Sequence, residues 1–298
     1  MKQIILLCLL VLLYVIVIKY NTESFNNINE NDNINENDNI NQNDNINQND
    51  NINQNYICFL CVNLTDELIE TSRNMLKYGY KVFIMVDNNS KKLPKVIKDI
   101  KGIKDINILQ MDDNQCIKLG YKNASATLKK NPVTWDKVFY YFSNIDTKFK
   151  NIWFIEEDVF IPRFDLLIDL DEKYVDEDLL CKQDIAHATD KLKWHWNRAK
   201  GKIDKPWHRS LLCCHRQSRR LLQRIKDYVD KNGSLLFLEL MVNTLAHNNN
   251  YNVKAIPNLK TITWKTKYKV EDIKMDNFYH PMKDLKQQED YRTKLNYK

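Results

Sequence analysis

Three consecutive carboxylates, Glu156-Glu157-Asp158, interrupt an otherwise apolar run from Trp153 to Pro162. The apolar residues on either side read as a buried β-strand, expected over Ile152–Ile161. Carboxylates inside such a strand are costly unless they are solvated, paired or bound to a cation. The sheet that holds this strand must therefore open, at the acids, to solvent or to a ligand. Alternation along the strand puts Glu156 and Asp158 on one face and Glu157 on the other unless the strand bends. Hard oxygen donors suit Mg²⁺ or Mn²⁺, ions that bridge substrate phosphates; the plainer reading is a solvated strand end.

The neighbouring segments set the fold class. Tyr56–Asn63, Lys81–Val86 and Ile106–Met111 are short apolar runs, read as buried strands. Thr65–Tyr78 has helical apolar spacing at Leu68, Ile69, Met75 and Leu76, with Thr65 or Asp66 as N-cap. Leu93–Ile100 and Trp135–Phe142 read as further helices. This alternation predicts an α/β fold, a mostly parallel sheet sandwiched by helices. Three strands end in carboxylates: Asp87, Asp112/Asp113 and Glu157/Asp158. Ligands of open α/β sheets bind beyond the carboxyl ends of the strands. The chain has only five Gly and neither GxGxxG nor GxxxxGK[ST], which disfavours a dinucleotide fold and a P-loop NTPase.

The second half carries aromatic and basic residues. Trp194-His-Trp196 and Trp207-His208-Arg209 bring together rings that stack on sugars and side chains that bond hydroxyls or phosphates; an aromatic core under a long loop is the alternative. Ser210–His215 reads as a strand and Ser218–Val229 as a helix bearing Arg219, Arg220 and Arg224. Ser234–Ala246 is a nearly all-apolar helix with Glu239 in its middle. Burial there raises a carboxyl pKa toward neutrality, as a general base requires, although pairing with a buried Arg or Lys is equally compatible. Phe278-Tyr-His-Pro-Met-Lys283 places His280 and Lys283 near the end of the chain.

Residues 1–55 are of another kind. Ile4–Ile18 is free of charge and flanked by Lys2 and Lys19. With its neighbours it approaches the ~20 residues that span a bilayer, and no small-x-small cleavage site follows it. Residues 1–20 are expected to be an uncleaved signal-anchor transmembrane helix. Residues 26–55 repeat Asn-Ile-Asn-(Glu/Gln)-Asn-Asp, with one Ile per six residues, too little apolar surface to offset chain entropy. Residues 21–55 are therefore expected to be a disordered stalk, and 56–298 the folded domain, divided into 56–162 and 163–298. A short N-terminus before a long domain implies a type II single-pass protein with the domain lumenal or extracellular; Lys2 and Lys19 nearly balance in setting the orientation. Sequons at Asn63, Asn88, Asn123 and Asn232 fit a lumenal domain.

Two Lys against seven Asp/Glu leave residues 1–55 at −5, so the remainder carries +11 of a net +6. A basic domain suits an anionic ligand such as a nucleotide diphosphate, a nucleic acid or an acidic membrane surface, or simply presents a solvated Lys surface. Cys58 and Cys61, three apart on a strand, face opposite sides, and no second CxxC or His pair accompanies them, so they read as core thiols; so do Cys213 and Cys214.

A strand that ends in a Glu-Glu-Asp cluster resembles the metal motif of GT-A glycosyltransferases, and the resemblance covers about Tyr56 to Lys283. It implies a metal-dependent transfer of a sugar from a nucleotide-diphosphate donor to a hydroxyl of a glycan or glycoprotein acceptor. By that resemblance Glu156 and Asp158 hold Mn²⁺ or Mg²⁺, and His280 completes the site. Asp87, Lys137, Glu157 and Lys283 contact the nucleotide sugar, and Glu239 is the base. Trp194, Trp196, Trp207, His208 and Arg209 line the acceptor side. Inversion is expected, because no covalent nucleophile stands out. The cluster departs from the family's Asp-x-Asp, and Glu239 lacks an adjacent acid. The partners are then the donor, the acceptor and, through residues 4–18, a membrane; no nucleic-acid partner is expected. A metal-dependent nuclease or phosphotransferase and a non-catalytic carbohydrate-binding protein on the same scaffold are the rival readings.

Overall fold

Strand β1 (Tyr56–Cys61) is buried along its whole length, and its side chains divide between two cores. Tyr56, Cys58 and Leu60 enter one hydrophobic cluster, and Ile57, Phe59 and Cys61 the other. That period of two is what a strand covered on both faces requires, and it separates Cys58 from Cys61 as expected. The computed structural model describes residues 55–89, 104–146 and 148–295. The anchor, all but the last residue of the stalk and the helix expected over Leu93–Ile100 lie outside them. Among the described residues no helix is long and apolar enough to cross a membrane.

The other strands are β2 (Lys81–Val86), β3 (Ile106–Leu109), β4 (Asn151–Glu156), β5 (Leu179–Cys181), β6 (Ile185–Ala186), β7 (His208–Arg209), β8 (Cys214–Ser218) and β9 (Val253–Ala255). Seven of them form one sheet in the order β3-β2-β1-β4-β8-β5-β9, while β6 and β7 form a separate ribbon. Within the large sheet β8 runs antiparallel to both its neighbours and the other pairings are parallel. The fold is thus a mixed α/β fold built on a mostly parallel sheet, and both halves of the domain contribute strands to it.

The helices are α1 (Asp66–Lys77), α2 (Asp113–Lys118), α3 (Thr134–Asn144), α4 (Leu166–Lys173), α5 (Arg219–Asn232), α6 (Leu238–Asn248) and α7 (Leu285–Lys294). Residues of α3, α5 and α6 share the core of Tyr56 and Cys58; those of α1 and α4 share the core of Ile57 and Phe59. Thr65 caps α1 by accepting from Leu68 N at 3.3 Å.

Among the boundaries that differ from expectation, three bear on the site, each for a physical reason. The strand expected over Ile152–Ile161 stops at Glu156, because Glu157 and Asp158 form a turn; hydrogen bonds from Glu157 N to Leu60 O and Val159 N to Glu156 O fix it. The strand expected over Ser210–His215 begins only at Cys214. Its residues, Cys-His-Arg-Gln-Ser, are polar yet buried, and partners rather than apolar character keep them inside: Arg216 pairs with Asp171 at 2.8 Å, and His215 Nδ1 donates to Leu212 O. The helix expected from Ser234 begins at Leu238. Residues 235–238 instead run along the segment after α2, with Leu235 N on Gly120 O and Leu238 N on Ala124 O. Gly120 (φ +83°) permits that approach, since a Cβ there would lie 2.8 Å from Gly233 O. Glu239 is consequently in the first turn of α6, not in mid-helix.

Candidate active site

Of the three acidic strand ends, two serve the fold. Asp112 caps α2 by accepting from Gln115 N at 2.8 Å. Asp87 and Asp113 both pair with Lys137 Nζ at 2.9 Å, and Nζ donates to Asp87 O. Lys137 is only 1% exposed. Burial alone would lower its pKa, but Asp113 and Asp87 outweigh burial and hold it raised. Three protein oxygens thus already surround the Lys137 ammonium.

The third strand end is different. Glu156 ends β4, and Glu157 and Asp158 form a turn that residues from the far end of the chain close over. Phe160 and Tyr279 exchange backbone hydrogen bonds, and Met282 N donates to Asp158 O at 2.7 Å. This places His280 Nε2 3.2 Å from Asp158 Oδ1 and 3.6 Å from Glu156 Oε2. His280 Nδ1 lies 2.6 Å from Thr263 O, and a carbonyl only accepts, so Nδ1 carries the hydrogen and Nε2 faces the carboxylates. Burial alone would lower the pKa of His280; Asp158 and Glu156 outweigh it and keep it above its ordinary value. Glu156 itself is raised, first by burial and then by Asp158, against the lowering effect of Trp135.

Trp135, Asp136 and Lys137 show how one helical turn supports the site. The Trp135 indole N–H donates to Glu156 Oε1 at 2.7 Å, and its ring stacks on His215 with centroids 5.3 Å apart. Asp136 accepts from Val133 N and Ala124 N, fixing the start of α3 against the neighbouring loop. Lys137 ties α3 to the end of β2 and the start of α2. His215, pushed down to about 4 by burial, remains a neutral ring at physiological pH.

Two adjoining cavities open at this end of the sheet. One, about 360 Å³, reaches from Cys61 and Val62 past Thr134 to Glu157. The other, about 420 Å³, lies between Glu156, Cys213, Leu212, Glu239 and His280. Glu156, Asp158, Trp135 and Lys283 line both. Glu157, raised by burial, accepts from Val62 N at 3.2 Å in the first. A third cavity, about 450 Å³, opens at the opposite end of the sheet beside Tyr80 and Asp171, where the Asp171 carboxylate is committed to Arg216, Tyr80 and Trp153.

Glu239 is 6% exposed. A carboxylate in the first turn of a helix is ordinarily favoured by the helix dipole, by about 0.3–1 kcal/mol. Burial overrides that here: it raises Glu239 to about 8, with Glu156 adding to the rise and Arg209 and Lys182 opposing it. Among the described residues its carboxylate has no hydrogen-bonded partner, so the structure brings Glu239 to the cavity without the buried ion pair that would have made it structural.

The expected acceptor residues are one layer removed. Trp194 packs on Phe237 at 5.5 Å and on Trp196 at 4.9 Å. Arg209 bonds Asp190 at 2.8 Å, and Trp196 bonds the same carboxylate. Trp207 and His208 stand beside His187 and His247. None of the five lines the 420 Å³ cavity; Phe237 and Trp264, 63% exposed, do. Cys213 also gave no functional signal in sequence, being one more residue of an apolar run. Its Sγ, a Glu156 oxygen and a His280 nitrogen all lie within 4.8 Å of one another.

The donor set fits a divalent cation. Donor atoms of Glu156, Cys213 and His280 converge, Asp158 Oδ1 stands 3.2 Å from His280 Nε2, and His280 is oriented through Nδ1 by a backbone carbonyl, as ligating histidines are. A mixed O, N, S set suits Mn²⁺ or a borderline ion better than Mg²⁺, which prefers oxygen and water.

No family model matches the chain, and no curated protein matches it. Among solved structures it is similar to 4-diphosphocytidyl-2C-methyl-D-erythritol synthase from Anaerococcus prevotii. The TM-score is 0.38 and the identity 9%, over 68% of this chain and 88% of that one.

Proposed function

We propose that this chain is a metal-dependent glycosyltransferase of GT-A type, moving a sugar from a nucleotide-diphosphate donor to a hydroxyl of a glycan or glycoprotein. The observation that carries this reading is the pairing, across one cavity, of a cation-type cluster (Glu156, Asp158, His280) with a lone carboxyl, Glu239, poised at about 8. The donor occupies the 360 Å³ cavity beyond β1 and β4, where Glu157 and Lys283 flank it, and the acceptor enters the 420 Å³ cavity past Trp264 and Phe237. The remaining assignments follow from the sequence: residues 1–20 anchor the chain in a membrane as a type II protein, 21–55 are the stalk, and the domain is lumenal or extracellular.

In the transfer, Glu239 accepts the proton of the acceptor hydroxyl while that oxygen attacks the anomeric carbon. The bond from that carbon to the diphosphate oxygen breaks, and its electron pair leaves with the nucleotide diphosphate. One such displacement inverts the anomeric centre. A bound Mn²⁺ or Mg²⁺ supplies neutralisation of the charge developing on the leaving diphosphate. Glu156 and Asp158 hold their positions through Trp135 and Met282, and the burial of Glu239 sustains its basicity.

The test is incubation of the protein with UDP- and GDP-sugars, an acceptor panel and Mn²⁺, following nucleotide release. Release that requires metal and disappears in Asp158→Asn is expected. Absence of both metal-dependent release and nucleotide-sugar binding across the panel overturns the reading.

A further inference from the structure

A second cluster lies at the opposite end of α6 from Glu239. Asp184 follows β5, His208 is on β7 and His247 is in the last turn of α6. The two imidazoles stack with centroids 3.6 Å apart at 21°. His208 Nδ1 stands 3.1 Å from Asp184 Oδ1, and His247 Nε2 stands 2.8 Å from Asp184 Oδ2. Both histidines therefore present one nitrogen to the same carboxylate, each to a different oxygen, and the ligand atoms of all three residues lie within 4.8 Å of one another.

We propose that Asp184, His208 and His247 form a second metal site, for a divalent cation of the Zn²⁺ class, which fastens the end of α6 to the β6–β7 ribbon. Two imidazole nitrogens and a carboxylate make a donor set that suits Zn²⁺, Co²⁺ or Ni²⁺ better than Mg²⁺ or Ca²⁺. Three protein ligands leave room for a water as the fourth.

The surroundings are built for ligands held in place. Asn243 Nδ2 donates to Asp184 Oδ1 at 3.1 Å, the outer hydrogen bond by which ligating carboxylates are oriented. Thr244 Oγ1 accepts from His208 N and donates to His208 O, so the backbone of one ligand is clamped to the helix that carries another. All three ligands are partly exposed, and a hydrated ion reaches them from solvent. The same two segments meet again near the cavity, where Ser210 N donates to Glu239 O at 3.0 Å. A cation at the far end of α6, about 12 Å along its axis from Glu239, therefore fixes the helix that positions the carboxyl, without touching substrate. This inference is independent of the transferase reading.

The test uses the full chain in detergent, in a background of Asp158→Asn with His280→Ala and Cys213→Ser, which leaves Glu156 alone of the donor set at the end of β4. Zn²⁺ is titrated by calorimetry and Co²⁺ by its visible absorption. The background protein is expected to bind one ion saturably, with a nitrogen- and oxygen-type cobalt spectrum and a higher melting temperature in Zn²⁺. Adding His247→Gln, a conservative change at a partly exposed helix end, is expected to remove the spectrum and the thermal shift. Asn243→Ser is expected to weaken Zn²⁺ roughly 10–100-fold, as loss of an orienting partner does. Circular dichroism of the metal-free proteins reports whether each variant folds. Failure of the folded background protein to bind Zn²⁺, or binding that His247→Gln leaves unchanged, overturns the proposal.

Discussion

The indole N–H of Trp135 reaches Glu156 Oε1 across the gap between α3 and β4, at 2.7 Å. It leaves Oε2 directed toward His280. Trp135→Phe keeps a ring that can stack on His215 and removes only the donor. Glu156 then loses a group that lowers its pKa and orients it. The expected result is a Mn²⁺ affinity weakened about 10–100-fold, measured by titration with Mn²⁺ followed by electron paramagnetic resonance.

Glu239→Gln retains size and removes the proposed base. A fall in kcat of about 10²–10⁴-fold is expected, with the KM for the donor nearly unchanged because the donor side of the site is untouched. An equal loss in KM for the donor would show that Glu239 binds substrate instead.

The same residue makes stability depend on pH. Unfolded, Glu239 titrates near 4.5; folded, near 8. Between these values the folded protein holds a proton that the unfolded chain has lost, so this group's contribution falls as pH rises, with a slope approaching about 1.4 kcal/mol per pH unit. Urea unfolding at a series of pH values should show a shallower decline across that window in Glu239→Gln than in the parent.

A metal preference set by Cys213 is expected from the proposed site. With the thiol close to Glu156 and His280, Cys213→Ser replaces sulfur with oxygen and is expected to shift activity from Mn²⁺ toward Mg²⁺. Substituted with Co²⁺, the parent should show a sulfur-to-cobalt charge-transfer band that the variant lacks. A parent protein without that band would place the thiol outside the coordination sphere.

At the other end of the sheet, Arg216 is fully buried and pairs with Asp171. Arg216→Met strands that carboxylate and is expected to cost about 3–5 kcal/mol by chemical denaturation. Arg216→Met with Asp171→Asn should recover much of the loss, since no charge remains buried.

Most of the large sheet was legible because β1, β2 and β4 are continuous apolar runs, which few structures other than a doubly covered strand can accommodate. Strand β8 was not, because His215, Arg216 and Gln217 are kept inside by partners that lie far away in sequence. The same limit applied at the site. The carboxylates of Glu156 and Asp158 were conspicuous among apolar residues, and His280 and Glu239 line the same cavity. Lys137 could not be told from a surface lysine until Asp87 and Asp113 were seen around it. The Trp194–Trp196 pair proved to be a second layer behind Phe237, since aromatic composition does not say which ring faces solvent. His247 is an ordinary helix-end residue until His208 is stacked on it.

Gln288 donates to Glu157 O from 131 residues downstream, and β4 pairs on one side with β8, synthesised long after it. At translation rates of about 5–20 residues per second, the late partners arrive on the order of ten seconds after the acids. Through that interval the nascent sheet ends in an unpaired edge along Trp153-Phe154-Ile155, the kind of edge that recruits other strands. Slower synthesis or a chaperone that covers this edge is therefore expected to raise the soluble yield of the protein.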